Sequence, residues 1–155
     1  DVVAATTDIS AGQMIDRVGA ALKLPFPAGL ALEVLALRGE GTSFRIPSSV
    51  QGGRMSFSGP CEAAIRGVRA GEDPSCVARA VLDCIIKSVS SAVIGASEGT
   101  GIRTVLMVGG VASNERIRQG LIKKLDAQGI EVLFGMAGLS SDNAVGVSYL
   151  GELWV

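Results

Sequence analysis

Apolar residues recur at helical spacing along most of this chain, and the places where that spacing breaks divide it into elements. After Ser10, the stretch AGQMIDRVGAALKL sets Met14, Ile15, Val18, Ala21 and Leu22 on one face. This predicts a helix ending near Leu24, with Ser10 or Asp8 as its N-cap. PFPAG stops that helix with two prolines and a glycine, after which LALEVLAL resumes an apolar helical run to about Leu37. Between Arg38 and Gly59 glycine, serine and proline are frequent, while SFRI and RMSF alternate apolar with polar residues. A β-hairpin or a loop excursion with short strands is expected there. Pro60 suits a first helical position, and Cys61, Ala64, Ile65 and Val68 keep the period until Gly71. Asp73 and Pro74 restart a helix whose stripe of Val77, Val81, Cys84, Ile85, Val89 and Val93 marks it as the central buried helix.

The pattern then changes. TVLMVGG is a β-rich apolar run closed by two glycines, followed by the helical SNERIRQGLIKKLDAQG and the short run IEVLF. This order predicts a βαβ unit with parallel strands. The end, SSDNAVGVSYLGELWV, reads as a helix capped by Ser141 or Asp142 with Val145, Tyr149 and Leu150 facing inward. No repeat or low-complexity linker interrupts the chain, so residues 1–155 are expected to form a single domain.

Composition narrows the function. The chain has 155 residues, 48% of them hydrophobic, enough for a real core. With 14 Lys and Arg against 15 Asp and Glu there is no overall basic field to gather nucleic acid, so a tRNA or DNA partner needs a local patch. No apolar run approaches the roughly 20 residues that span a bilayer. The start DVVAATTDIS has neither a basic nor an apolar signal region, so a cytoplasmic protein is expected. Cys61, Cys76 and Cys84 lack metal-type spacing, and Cys76 and Cys84 sit two turns apart on one helix, too far to bridge. The absence of histidine removes Ser-His triads, the usual zinc constellations and the usual proton shuttle near neutral pH.

Several residues are candidates for ligand contact, each with a plainer role beside it. Gly109 and Gly110 lead a strand into a helix, where residues without side chains let a ligand touch backbone; a tight packed turn explains them equally well. Asn114 has the flat donor and acceptor amide that suits a purine edge or a ribose hydroxyl, or it simply caps the helix. Asp142 opens a helix where α/β sheets gather ligands, or it is an ordinary N-cap. Asp16 in mid-helix and Glu33 in an apolar helix are poor choices by propensity, unless they lie on exposed faces. Gly12 and Gly19 within a helix point to close approach by another element or a ligand.

Together DISAGQMIDRVG, LPFPAGLALE, MSFSG, VGGVASN and SSDNAVG, in this order, resemble the TsaD family, also known as O-sialoglycoprotein endopeptidases or glycoproteases. The resemblance covers essentially the whole chain but only the carboxy-terminal half of the family. It implies a ribonuclease-H-like α/β lobe of the ASKHA fold shared by actin, Hsp70 and sugar kinases, with helices packed on a mixed sheet. That lobe faces an absent amino-terminal lobe across a nucleotide cleft. The family reaction is threonylcarbamoyl transfer to an adenosine of tRNA, with ATP or an adenylate as the nucleotide. Carried over residue by residue, Asp16, Gly29 and Glu33 contact the nucleotide-like substrate, and Asn114 contacts adenine or ribose with Gly109 and Gly110 clearing space. Asp142 matches the carboxylate ligand of a divalent metal, iron, zinc or magnesium. The two histidines of an H-x-x-x-H helix that complete the metal site belong to the missing lobe, and one carboxylate cannot make a catalytic metal site alone.

The chain also departs from the family pattern. A paired Asp appears as Asp8-Ile9, the following Glu as Gln13, Y-P-G-G as Phe26-Pro27-Ala28-Gly29, and F-S-F-S-G-L-K as MSFSGPC. These changes suggest a divergent paralogue. The partners implied are the amino-terminal lobe of the same protein, a second copy or a TsaB-like protein, and tRNA only through the whole complex. The rival expectation is a noncatalytic paralogue that docks on a TsaD-like partner and regulates it, which an exposed apolar helix face would favour. A sugar- or acid-kinase relative fits SFSG and SDNA less well, and proteolysis by this chain alone is not expected.

Overall fold

The computed structural model of the chain describes residues 1–135 and 149–152. The elements run β1 (Ala5–Thr6), α1 (Ala11–Ala21), α2 (Gly29–Ala36), β2 (Ser49–Gln51), β3 (Arg54–Ser56), α3 (Ser58–Arg69), α4 (Pro74–Thr100), β4 (Thr104–Met107), α5 (Glu115–Asp126) and β5 (Glu131–Phe134). Short 3-10 turns follow α2 at Leu37–Gly39 and precede α5 at Gly110–Ser113.

Helix α4 is the spine. Its 27 residues make it about 40 Å long at the usual rise per residue. Of the expected stripe Val77, Val81 and Ile85 are fully buried and Cys84 nearly so, Val89 and Val93 are half-buried, and Leu82 joins the buried face. Helices α2, α3 and α5 all pack on it. Asp73 caps its start by accepting from the Ser75 N–H at 2.8 Å, and Pro74 occupies the first turn, where a missing N–H costs nothing. Between α4 and α5 the approach is close enough that a Cβ on Gly120 would lie 2.5 Å from Ile86 Cδ1.

Ser10, not Asp8, caps α1. Its side chain accepts from Gln13 N–H at 3.2 Å while Gln13 Oε1 accepts from Ser10 N–H at 2.9 Å, a reciprocal capping box. Asp8 instead holds the entrance of α3. It accepts from Phe57 N–H at 2.9 Å, Ser56 Oγ at 2.6 Å and Ser58 N–H at 3.3 Å, as well as from Ser58 Oγ. These donors hold its carboxyl well below the usual carboxylate range. Helix α3 therefore begins at Ser58, before Pro60, which lies in its first turn.

The hairpin is β2–β3, turned by Gly52 and Gly53 at φ 55° and 77°, a left-handed pair that two glycines adopt without steric cost. RMSF supplies β3, which also pairs in parallel with β1. SFRI does not form a strand: its alternation is real but has no pairing partner among the described residues, and Phe44 instead lodges where a Cβ on Gly67 would come within 2.5 Å of its ring. The βαβ unit forms as expected, with β4 and β5 parallel and in register from Thr104–Glu131 to Met107–Phe134. The described strands thus make two small sheets, β1-β3-β2 and β4-β5. Of the last expected helix, residues 149–152 are helical, but Tyr149 and Leu150 are exposed rather than inward-facing, so no described element covers them. Its caps at Ser141 and Asp142 lie outside the described residues. Among the described residues no helix is long and apolar enough to cross a membrane.

Gly19 answers the sequence's hint of close approach, because a Cβ there would lie 2.2 Å from Ala28 Cβ. Gly19→Ala is therefore expected to lower stability by about 1–3 kcal/mol despite the better helix propensity of alanine, measured by urea denaturation. An unchanged midpoint would show that α1 and α2 separate freely. Because the folded Asp8 pKa is depressed, its stabilising contribution is complete above the unfolded value of about 3.9 and is lost as pH falls below it. Asp8→Asn should therefore be less stable than wild type at pH 6, with the gap narrowing as pH drops towards 2 in a thermal melt series.

Candidate functional site

One open pocket of about 590 Å3 gathers three segments distant in sequence. Its volume lies in the range of small-ligand sites. Helix α1 contributes Gly12, Ile15 and Asp16; the start of α2 contributes Pro27, Gly29, Leu30 and Glu33; the turn after β4 contributes Gly110, Val111, Ser113 and Asn114. Asp16, Gly29, Glu33, Gly110 and Asn114, all singled out in the sequence, thus share one cavity. Gly109 stands one residue behind it, at φ 100° and ψ 166°, a backbone region that only glycine enters easily. Asp142 lies outside the described residues.

Among the described residues nothing lies within 4 Å of a Cβ built on Gly29 or on Gly110, so the space beside each is open, whereas one on Gly12 would meet Val111 Cγ2 at 3.6 Å. The tight packed turn offered as the plain reading of the diglycine does not account for Gly110.

Asn114 carries both of its candidate roles. It caps α5, its Oδ1 accepting from Ile117 N–H at 3.0 Å. Its Nδ2 is buried and has no hydrogen-bond partner among the described residues, and the residue is only 7% exposed. An unpaired buried donor costs about 1–3 kcal/mol, a cost that a ligand acceptor removes. Ser113 Oγ beside it is likewise buried without a described partner. In the sequence Ser113 stands only as the first residue of the helical SNERIRQGLIKKLDAQG, and its hydroxyl next to the Asn114 amide is the one signal of a further role.

Exposed faces do not explain Asp16 and Glu33. Both are half-buried, and each ties distant backbone to the pocket. Asp16 Oδ1 accepts from Ala28 N–H at 2.9 Å, fixing the proline turn that leads into α2. Glu33 Oε1 accepts from Glu115 N–H at 2.8 Å and Arg116 N–H at 3.2 Å, bracing α2 against the start of α5. Each carboxylate keeps a second oxygen that no described residue uses.

The electrostatics follow from this. Glu33 and Asn114 between them occupy the first three N–H groups of α5, so the helix N-terminus is not free to take a phosphate. Among the described residues no Lys or Arg lines the pocket. Arg116, at the start of α5, turns its guanidinium to Asp83 at 2.5 Å, with Arg79 on the same carboxylate at 3.4 Å. The cavity therefore offers one amide donor, one hydroxyl and two carboxylates, a set that suits a hydrogen-bond-donating ligand better than an anionic one. The thiols take no part: Cys61 and Cys84 are buried, and desolvation pushes both well towards the protonated form.

Comparison with known proteins identifies the family. The family model described as TsaD, tRNA N6-adenosine threonylcarbamoyltransferase, matches residues 1–149. Curated proteins of that name are similar to the chain. The one from Thermococcus gammatolerans is 34% identical over 150 residues, covering 94% of this chain and 45% of its own length. That from Prochlorococcus marinus is 36% identical over 165 residues, covering 94% and 46%. That from Thermus thermophilus is 34% identical over 144 residues, covering 92% and 43%. The chain thus spans slightly less than half the length of these relatives. Among solved structures, the crystal structure of T. kodakarensis HypF is similar at a TM-score of 0.73 and 20% identity, over 94% of this chain and 20% of that one. At that identity it bears on fold alone, and it fits the ribonuclease-H-like ASKHA lobe. By the match over nearly its whole length, the chain belongs to the TsaD family, tRNA N6-adenosine threonylcarbamoyltransferase.

Proposed function

We propose that this chain forms the nucleoside-binding wall of a TsaD-type protein and holds the adenosine part of ATP or of an acyl-adenylate while a threonylcarbamoyl group passes to a tRNA adenosine. The observation that carries the reading is the buried, unpartnered Asn114 Nδ2 in a pocket walled by Gly29 and Gly110. A ring nitrogen or ribose oxygen satisfies that donor, and the free oxygens of Asp16 and Glu33 accept from ribose hydroxyls. With two carboxylates and no cation in the described lining, the phosphates point out of the pocket.

In this reading the residues lining the pocket bind and orient the nucleoside. A divalent iron, zinc or magnesium ion, held mainly by donors outside this chain, would supply Lewis-acid polarisation. Asp142 offers one carboxylate where a catalytic site takes three protein ligands, and the chain has no histidine, so these residues do not suffice to hold the ion. The remaining donors come from the part of the protein that the relatives have beyond their match to this chain, as does the surface that brings tRNA to the site. In this reading residues 1–155 are one lobe of a two-lobe cytoplasmic protein.

One observation favours the second reading, a noncatalytic paralogue docked on a TsaD-like partner. Phe26, Leu30, Val34 and Leu37 are exposed in a row along and beside α2. Leu30 also lines the pocket, so a partner seated on this row borders the same site.

Calorimetric titration with adenosine, AMP and ATP separates the readings. Adenosine is expected to bind about as tightly as ATP, because the phosphates gain no cation in the pocket. Asn114→Asp keeps an acceptor to cap α5 but replaces the unpaired donor with a carboxylate oxygen in a pocket that already holds Asp16 and Glu33; it should weaken adenosine binding at least tenfold, roughly 1.4 kcal/mol. Absence of heat with all three ligands, or equal affinity in Asn114→Asp, would overturn the nucleoside reading and leave the docking one.

A further inference from the structure

Ser113 ends the 3-10 turn Gly110–Ser113 that leads from β4 towards α5, and it lines the cavity beside Asn114. A serine at such a place ordinarily commits its hydroxyl to nearby backbone, as Ser10 does in accepting from Gln13 N–H at the start of α1. Ser113 does not. Backbone alone closes the turn, Asn114 N–H donating to the Val111 carbonyl at 3.2 Å, and the cap of α5 belongs to Asn114 Oδ1. Among the described residues nothing pairs with Ser113 Oγ, although the atom is buried. A buried hydroxyl without a partner costs about 1–3 kcal/mol, and alanine at this position avoids that cost. The local structure thus gives no reason for the hydroxyl, whereas a ligand in the cavity does.

The two unpaired atoms differ in what they require. Asn114 has its Oδ1 taken by Ile117 N–H, so towards a ligand it only donates, through Nδ2. Ser113 Oγ accepts as well as donates, its hydrogen turning to suit the partner. Consecutive residues on one wall therefore present a donor beside an acceptor. The carboxylates of Asp16 and Glu33 accept only, and they stand on the walls made by α1 and α2. A ribose hydroxyl suits the carboxylate walls because it brings a proton. The edge of adenine suits the Ser113–Asn114 wall, because there a ring nitrogen that accepts adjoins an exocyclic amine that donates.

We propose that Ser113 is a specificity residue of the nucleoside site: its Oγ accepts from the exocyclic amine of adenine while the neighbouring ring nitrogen accepts from Asn114 Nδ2. Resting on the nucleoside reading above, the assignment adds to it the group that tells adenine from a purine lacking the amine. Without the hydroxyl the amine leaves water and finds no partner, a penalty that falls on adenosine and not on a purine riboside with hydrogen in the amine's place.

Calorimetric titration of the wild-type chain and of Ser113→Ala with adenosine and with purine riboside tests this. Wild type is expected to bind adenosine about five- to tenfold more tightly than purine riboside, the worth of one hydrogen bond. Ser113→Ala should weaken adenosine by about that factor, leave purine riboside as it was, and melt no lower than wild type, since it removes an unpaired buried group. The wild-type comparison of the two ligands needs no variant and stands whatever Ser113→Ala does to folding. Equal wild-type affinity for both ligands, or an equal loss of both in Ser113→Ala, would overturn the assignment while adenosine still binds and the nucleoside reading survives. So would a lower melting temperature in Ser113→Ala, because the hydroxyl would then have a structural partner. Absence of heat with either ligand would remove both readings together.

Discussion

Burial of one long helix against nearly everything else organises the described part of the molecule. Val77, Val81, Leu82 and Ile85 of α4 lie at zero exposure, and α2, α3, α5 and the β2–β3 hairpin all take their positions from it. At roughly 1.5–3 kcal/mol for each buried large apolar side chain, this face supplies a dominant share of the driving force. The smaller elements have little core of their own; β1 is two residues long and β2 and β3 three each. They hold their places because α4 gives them a surface to cover.

Once the helices are docked, polar side chains reaching across the chain fix the details. Asp8 holds the start of α3, Asp16 the entry to α2, and Glu33 the start of α5. In each case a carboxylate satisfies backbone N–H groups that a helix end or turn leaves unpaired. The last two do this at the rim of the same cavity, so the walls of the pocket are braced by the carboxylates that line it. A ligand that recruits the second oxygens of Asp16 and Glu33 meets groups already held in place, which reduces the ordering cost of binding.

The same logic gives the two open features of the lobe different characters. The cavity at Asn114 is walled largely by apolar surface, with its few polar groups braced by hydrogen bonds to distant backbone. The groove between the sheets is apolar and lined from α4, β4 and Met55 of β3. One lies at the end of β4 and the other along its side, so this strand, with the turn that follows it, serves both.

The sequence alone determined the local elements and the motif residues. The helical stripe of α4, the capping signals at Ser10 and Asp73, and the β4–α5–β5 unit were all legible, because periodicity and capping are encoded within a few residues. Asp16, Gly29, Glu33, Gly110 and Asn114 were legible as candidates through their awkward propensities and their resemblance to a family. Tertiary structure alone decided what they do. That Asp8 serves α3 rather than α1, that Glu33 braces a helix 82 residues away, and that SFRI packs as a loop over Gly67 depend on contacts between segments far apart in the chain. So does the unpaired state of Asn114 Nδ2: capping is a local property of neighbouring residues, whereas an unsatisfied donor exists only once the fold has removed water from around it.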